Sequence, residues 1–229
     1  MPKSTDCRQS ITIGDIHPVP TLEKARQWYR DVDAVHNFGH IERVFNMAVR
    51  LAGEENADME IVMAAALLHD AIGTTPGAEA RSDHHLASAE FAAGVLAEEG
   101  WDENRIAAVQ HCIRAHRYRD NSELPQTIEA MVIFDADKLD VLGAVGVERV
   151  IAYAVLAGEP VFRQPSQQFL QTGVKIPAEP HSAYHEYLFK LVKIKDRLFT
   201  RSARLLAEDR DCYLGEFFQR LADEMEGKR

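Results

Sequence analysis

The chain of 229 residues has little cysteine, no long apolar run and no excess of basic charge. Its three cysteines, Cys7, Cys112 and Cys212, are odd in number and show no C-x-x-C spacing. That excludes a disulfide frame or a zinc knuckle and reads as reduced thiols in a cytoplasmic protein. The longest apolar stretch, Ile61 to Leu68, is far shorter than the 18 or more residues that a membrane span needs, so no membrane partner is expected. Met1 to Asp15 has no apolar h-region, and no secretory signal is read there. With 36 acidic against 26 basic residues the net charge is −10, which opposes wrapping of a nucleic-acid polymer; an anionic substrate would need local positive charge.

What remains is ordinary globular material, 46% hydrophobic and 27% charged. The length suits one domain able to bury roughly 70–75% of its unfolded surface. All nine prolines lie outside the stretches 21–75, 77–124, 126–159 and 181–229. Each stretch carries apolar residues at helical spacing, such as Ile41, Val44, Phe45, Ala48, Leu51 and Ala52, or Tyr184, Tyr187, Leu188, Leu191, Ile194 and Leu198. No segment alternates strictly, so the fold class is all-α. Helices are expected near 21–30, 36–53, 57–71, 83–99, 102–117, 126–141, 144–157, 182–199 and 202–226, after an irregular segment 1–20. Asn56, Ser82 and Asp102 are the expected N-caps, and Pro125 marks a helix start. Residues 158–181, with four prolines, are expected as one long loop, either a lid or a plain surface excursion.

The chemistry concentrates in the histidines, seven of ten falling between His36 and His116. Ile61-Val-Met-Ala-Ala-Ala-Leu-Leu68 is apolar on every side, hence central, and runs directly into His69-Asp70. A buried carboxylate needs a partner, so Asp70 sits in an ion pair or on a cation. At about 100° per residue His40 lies beside Val44 and Leu51, at the edge of its helix's apolar stripe. The equally apolar segment 126–141 carries Asp135, Asp137 and Asp140. Imidazoles together with carboxylates match zinc, manganese, iron or nickel and argue against calcium. Within that segment periodicity alone puts Asp135 on the stripe with Ile128, Met131, Val132, Leu139 and Leu142, about 200° away from Asp137.

Three motifs carry a resemblance. His36-Asn-Phe-Gly-His40-Ile-Glu-Arg-Val44, Leu67-Leu-His-Asp70 and Asp135-Ala-Asp-Lys-Leu-Asp140 resemble, in order and spacing, the signature of the HD-domain metal-dependent phosphohydrolases, in particular the small bacterial members. Leu142-Gly-Ala-Val-Gly-Val147 and the C-terminal segments extend the likeness from about residue 30 onward. The resemblance implies an HD-type helical bundle over 21–229 with its ligand-bearing core at about 36–157 and a C-terminal helical pair within 182–226. It implies His40, His69, Asp70 and Asp137 as ligands of one divalent transition metal, Mn, Co, Ni, Fe or Zn, with Mg also admissible. It also implies hydrolysis of a small anionic phosphorylated substrate, a nucleotide, by attack of metal-activated water.

By the angular argument His85 and His116 point inward, as catalytic groups, extra metal ligands or core histidines bonded to backbone, whereas His84 and His111 point away. His36, Arg43 and Lys138 are the candidate substrate-binding residues, with Arg43 as a fork and Lys138 as a point charge on phosphate; the bland reading of the two cations is solvated surface. Cys112 reads as a buried structural thiol, and Trp28-Tyr29 and Phe217-Phe218 as packing. Two competing functions stay open: a di-iron oxygenase drawing on His85, His111 or His116, and a non-catalytic metal-stabilised nucleotide sensor.

Overall fold

The computed structural model describes residues 18–29, 37–72, 83–117 and 123–229. Among them there is helix and no strand. The order is α1 (Leu22–Arg26), α2 (Phe38–Glu55), α3 (Met59–Leu68), α4 (His84–Glu98), α5 (Glu103–Ala115), α6 (Ile128–Leu139), α7 (Gly143–Leu156), α8 (Gln167–Thr172), α9 (Ala183–Phe189) and α10 (Arg201–Met225). No helix among the described residues is long and apolar enough to cross a membrane.

Helix α3, apolar on every side from Ile61 onward, is the axis of the bundle. It touches α2, α4, α5 and α6, and all but one of the residues from Ile61 to Leu68 are buried, the outcome expected of a helix with no polar face. Two reliable caps start the neighbouring elements. Asp58 accepts from the amides of Glu60 and Ile61 at the head of α3, and Asp102 from those of Asn104 and Arg105 at the head of α5. The guanidinium of Arg105 then forks onto Asp58 at 2.8 and 3.0 Å and ties the two helix starts together.

Several local expectations change. Asn56 does not cap α3 from its N-terminal side; it closes α2 in a left-handed conformation (φ 55°), a role asparagine tolerates, and Asp58 takes the N-cap. Ser82 lies outside the described residues, and Asp83 precedes α4. The segment 158–181 is not wholly irregular. It contains α8, capped by Ser166 and closed by left-handed Gly173, whose missing Cβ admits the Phe189 ring; an added Cβ would stand 2.5 Å from it. Glu179 staples this segment by accepting from Ser166 N and Oγ, Ile176 N and His185 Nε2 at 2.7–3.1 Å. The expected helix 182–199 stops at Phe189 and continues as two 3₁₀ turns, Leu191–Lys193 and Lys195–Arg197. The tighter turns still bury Leu191, Ile194 and Leu198, and they end by presenting two backbone amides to α6.

Those amides meet Asp135. Its carboxylate, fully buried, accepts from Phe199 N (2.9 Å), Thr200 N (2.7 Å) and Thr200 Oγ1 (2.7 Å), and Thr200 is the N-cap of α10. One carboxylate therefore anchors the C-terminal helix to the bundle, and α10 packs on α6, α7 and α2. Asp135→Ala removes the acceptor of three buried or part-buried donors and is expected to destabilise the fold by about 2–4 kcal/mol, read as a lower urea midpoint.

Candidate metal centre

Three elements of the core end or begin at one point. His40 stands in the first turn of α2, His69 is the C-cap of α3 and Asp70 follows it, while Asp137 lies in the last turn of α6. His40 Nε2 is 3.5 Å from Asp137 Oδ1 and 4.0 Å from Asp70 Oδ2, and His69 Nε2 is 3.9 Å from the same Asp70 oxygen. The single ligand atoms of His40, His69 and Asp137 lie within 4.8 Å of one another. Asp70 turns its other oxygen to a second group, 3.3 Å from His84 Nε2 and 3.5 Å from His116 Nε2.

The tautomers follow from the far side of each ring. A carbonyl can only accept, so His69 Nδ1 donates to Ala66 O (2.9 Å) and His116 Nδ1 to Ile113 O (2.5 Å). His40 Nδ1 faces Asp140 Oδ2 at 2.7 Å. In their neutral forms His69 and His116 therefore direct an Nε2 lone pair at carboxylate oxygens, acceptor against acceptor, and His40 does the same when Asp140 holds the proton on its Nδ1. His69 Nε2 is buried and makes no hydrogen bond. A proton or a cation between these atoms relieves the conflict, and burial decides against the proton: it depresses the pKa of both His69 and His116. The donor set, neutral imidazole nitrogens with fixed tautomers and ionised carboxylates, thus fits a divalent cation.

The carboxylates are held ionised. Burial alone would raise Asp70, but positive charge or a ring proton on His69, His116 and His84 outweighs it and keeps the carboxyl well below the usual range; with those rings neutral, a cation in the same place supplies that charge. For Asp137 burial is again the largest single influence, overcome by Lys138 and by His40, His116 and His69. Asp140 is depressed likewise, burial being outweighed by His40 and Arg43.

Helix α6 explains why periodicity pointed to Asp135. Its residues are buried on nearly every side, so two faces about 200° apart both look inward: Asp135 toward the start of α10, Asp137 toward His40. Lys138 is buried with its Nζ 2.5 Å from Asp137 Oδ2 and 3.1 Å from His116 O. The Arg43 fork is engaged on Asp140 at 2.7 and 3.1 Å. His85 is buried in the first turn of α4 with its ring 5.7 Å from that of His84. His111 pairs with Glu123 at 2.7 Å, away from the centre, and His36 lies outside the described residues. Cys112 is fully buried, which pushes its thiol pKa up and leaves it unreactive.

His84 corrects the angular argument, since it faces Asp70 instead of pointing away. It is the first residue of α4, where a side chain covers the turn before its own Cα and an angular count from the helix interior has little hold. Asp140 and Arg149 were not singled out as functional. Asp140 was findable, one turn beyond Asp137 on the same face; Arg149 comes from α7, whose placement no local pattern encodes.

Depressed histidine pKa values set a direction for stability. Below the ordinary value of about 6.5 the unfolded chain takes up protons on His69 and His116 that the folded chain refuses, so metal-free protein is expected to lose stability as pH falls from 6.5 toward the folded values. Urea midpoints in chelator at pH 7.5 and 5.5 check this. His69→Gln should flatten the slope, and a midpoint that rises on acidification would contradict the assignment.

Comparison with known proteins places this geometry. The HD domain family model matches residues 37–142, which contain His40, His69, Asp70, His84, His85, His116, Asp137, Lys138 and Asp140 but neither His36 nor Arg149. Over 212 residues the chain is 29% identical to the uncharacterized protein YpgQ of Bacillus subtilis, covering 90% of this chain and 94% of that one. The crystal structure of Bacillus subtilis YpgQ in complex with ADP superposes with a TM-score of 0.66 at 30% identity, covering 89% and 94% of the two chains. An HD-superfamily hydrolase from Bacillus thuringiensis gives 0.65 at 27% identity over 90% and 96%. With its adjacent His69-Asp70 pair at the end of a buried helix and its match along nearly the full length of such proteins, the chain belongs to the HD-domain phosphohydrolase superfamily.

Proposed function

We propose that the protein is a divalent-metal-dependent phosphohydrolase that acts on a small phosphate ester, a nucleotide, with His40, His69, Asp70 and Asp137 holding one cation. The observation that carries this reading is the set of buried imidazole lone pairs aimed at ionised carboxylates, with no donor of their own between them. The bound cation would supply Lewis acidity toward a phosphoryl oxygen and a nucleophilic water at neutral pH. The chain's own residues then divide the remaining work. Asp70 couples the two histidine groups through its two oxygens. His116 and His84, next to Asp70, and the buried His85 are placed to hold a phosphate or pass a proton to the departing oxygen. Arg43 and Lys138 bring positive charge to the rim and wall of the centre in a protein whose net charge is −10. His36 remains a substrate-binding candidate on its sequence position. The ADP bound by Bacillus subtilis YpgQ supports a nucleotide as the substrate class.

A second reading has a specific observation behind it. Asp70, His84 and His116 form their own group of ligand atoms within 4.8 Å, so these three residues would hold a second cation beside the one at His40, His69 and Asp137, as a di-iron oxygenase would require. Stoichiometry separates the two: the first reading expects one metal per chain and phosphate or pyrophosphate release, the second expects two irons and oxygen consumption.

The test is a panel of Mn²⁺, Co²⁺, Ni²⁺, Fe²⁺, Zn²⁺ and Mg²⁺ against nucleoside mono-, di- and triphosphates, cyclic dinucleotides and sugar phosphates. Chelator should abolish turnover and added metal restore it. Asp70→Ala, checked for helicity by circular dichroism, should lower kcat/KM by about 10³-fold, the several kcal/mol that a Lewis acid contributes. Undiminished hydrolysis by metal-free Asp70→Ala would refute the proposal.

A further inference from the structure

Asp140 closes α6 one turn beyond Asp137, with its side chain only 5% exposed. Both of its oxygens are occupied. Oδ1 accepts from Arg43 Nε at 2.7 Å; Oδ2 accepts from His40 Nδ1 at 2.7 Å, from Arg43 Nη2 at 3.1 Å and from Arg149 Nη1. Two helices thus converge on the carboxylate that ends a third, His40 and Arg43 from α2 and Arg149 from α7.

The same Arg149 Nη1 lies 2.7 Å from His40 Nδ1. A guanidinium has no acceptor, so Arg149 and an Nδ1–H cannot bond each other. Two neighbours therefore compete for that nitrogen. Asp140 favours the tautomer with the proton on Nδ1, which leaves Nε2 a lone pair toward Asp137 and Asp70. Arg149 favours the reverse, a lone pair on Nδ1 and a proton on Nε2, which blocks Nε2 as a ligand. The carboxylate's negative charge, shared between the two donors, is what keeps them together.

We propose that Asp140 is a positioning residue that selects the ligating tautomer of His40 against the opposing pull of Arg149. The proposal rests on the reading of His40 as a metal ligand and adds to it how that ligand is prepared before any cation arrives. It assigns Arg149 a role as well: with Asp140 charged, the carboxylate, already held by Arg43, outcompetes Arg149 for Nδ1; with the charge removed, Arg149 captures Nδ1.

The experiment measures Mn²⁺ and Co²⁺ affinity by calorimetric titration of the folded full-length chain, without reference to hydrolysis. Asp140→Asn should weaken binding by about 10- to 100-fold, the effect expected when the partner of a ligating histidine is lost. Asp140→Asn combined with Arg149→Met should bind more tightly than Asp140→Asn alone, because the competitor for Nδ1 is gone. A merely structural role predicts the opposite order. Unchanged affinity in Asp140→Asn, or a double variant no better than the single one, overturns the proposal. If Asp140→Asn does not fold, Arg149→Met alone serves: affinity held or raised supports competition, and a fall overturns it. Wild-type protein that binds neither ion would refute the metal reading itself and the inference with it.

Discussion

The structure depends on the cost of ending a helix that is apolar from Ile61 to Leu68 with a histidine and an aspartate. Helix α3 has no polar face, so it goes to the centre of the bundle and takes His69-Asp70 into low-dielectric surroundings with it. Stranding those groups would cost several kcal/mol, so each surrounding element brings a compensating partner. The turn of α3 supplies Ala66 O to His69; Tyr29 donates to Leu67 O at 2.9 Å. Helix α4 contributes His84, α5 His116, α2 His40 and α6 Asp137. Bundle packing and assembly of the candidate centre are in this sense one event.

The three aspartates of α6 show how a single buried helix serves three purposes. Asp135 turns away and anchors α10 through backbone amides; Asp137 joins the imidazoles; Asp140 stands behind His40. Each is balanced differently, by amide and hydroxyl donors, by Lys138 and by two guanidinia. The cations that sequence reasoning assigned to phosphate are thus also the counter-charges of the centre. A net charge of −10 coexists with a locally balanced core because the compensation is between neighbours a few ångströms apart, where screening by solvent is weak.

The helical class, the central position of α3 and the cap at Asp102 were legible because they rest on local pattern: spacing of apolar residues, absence of a polar face, and a short side chain before a helix start. His84 was misjudged because a residue at a helix end escapes the 100° rule. The break after Phe189 was invisible because 3₁₀ turns bury nearly the same apolar positions as an α-helix would. Asn56 was read from the wrong side, since an asparagine between two helices can close one or open the next.

By itself the sequence determined which residues had to be buried and that their polar members would need partners. Apolar periodicity and the placement of prolines are properties of consecutive residues, and the burial cost follows from them directly. Tertiary structure alone decided which partner each received. Asp135 and Asp137 are equally inward-facing on α6, and only the packing of α10 on one side and α2 on the other gives one to a backbone cap and the other to His40. The tautomer of that histidine depends on still more distant chain: its partners Asp140 and Arg149 lie 100 and 109 residues away, and no local pattern encodes a contact across such a separation.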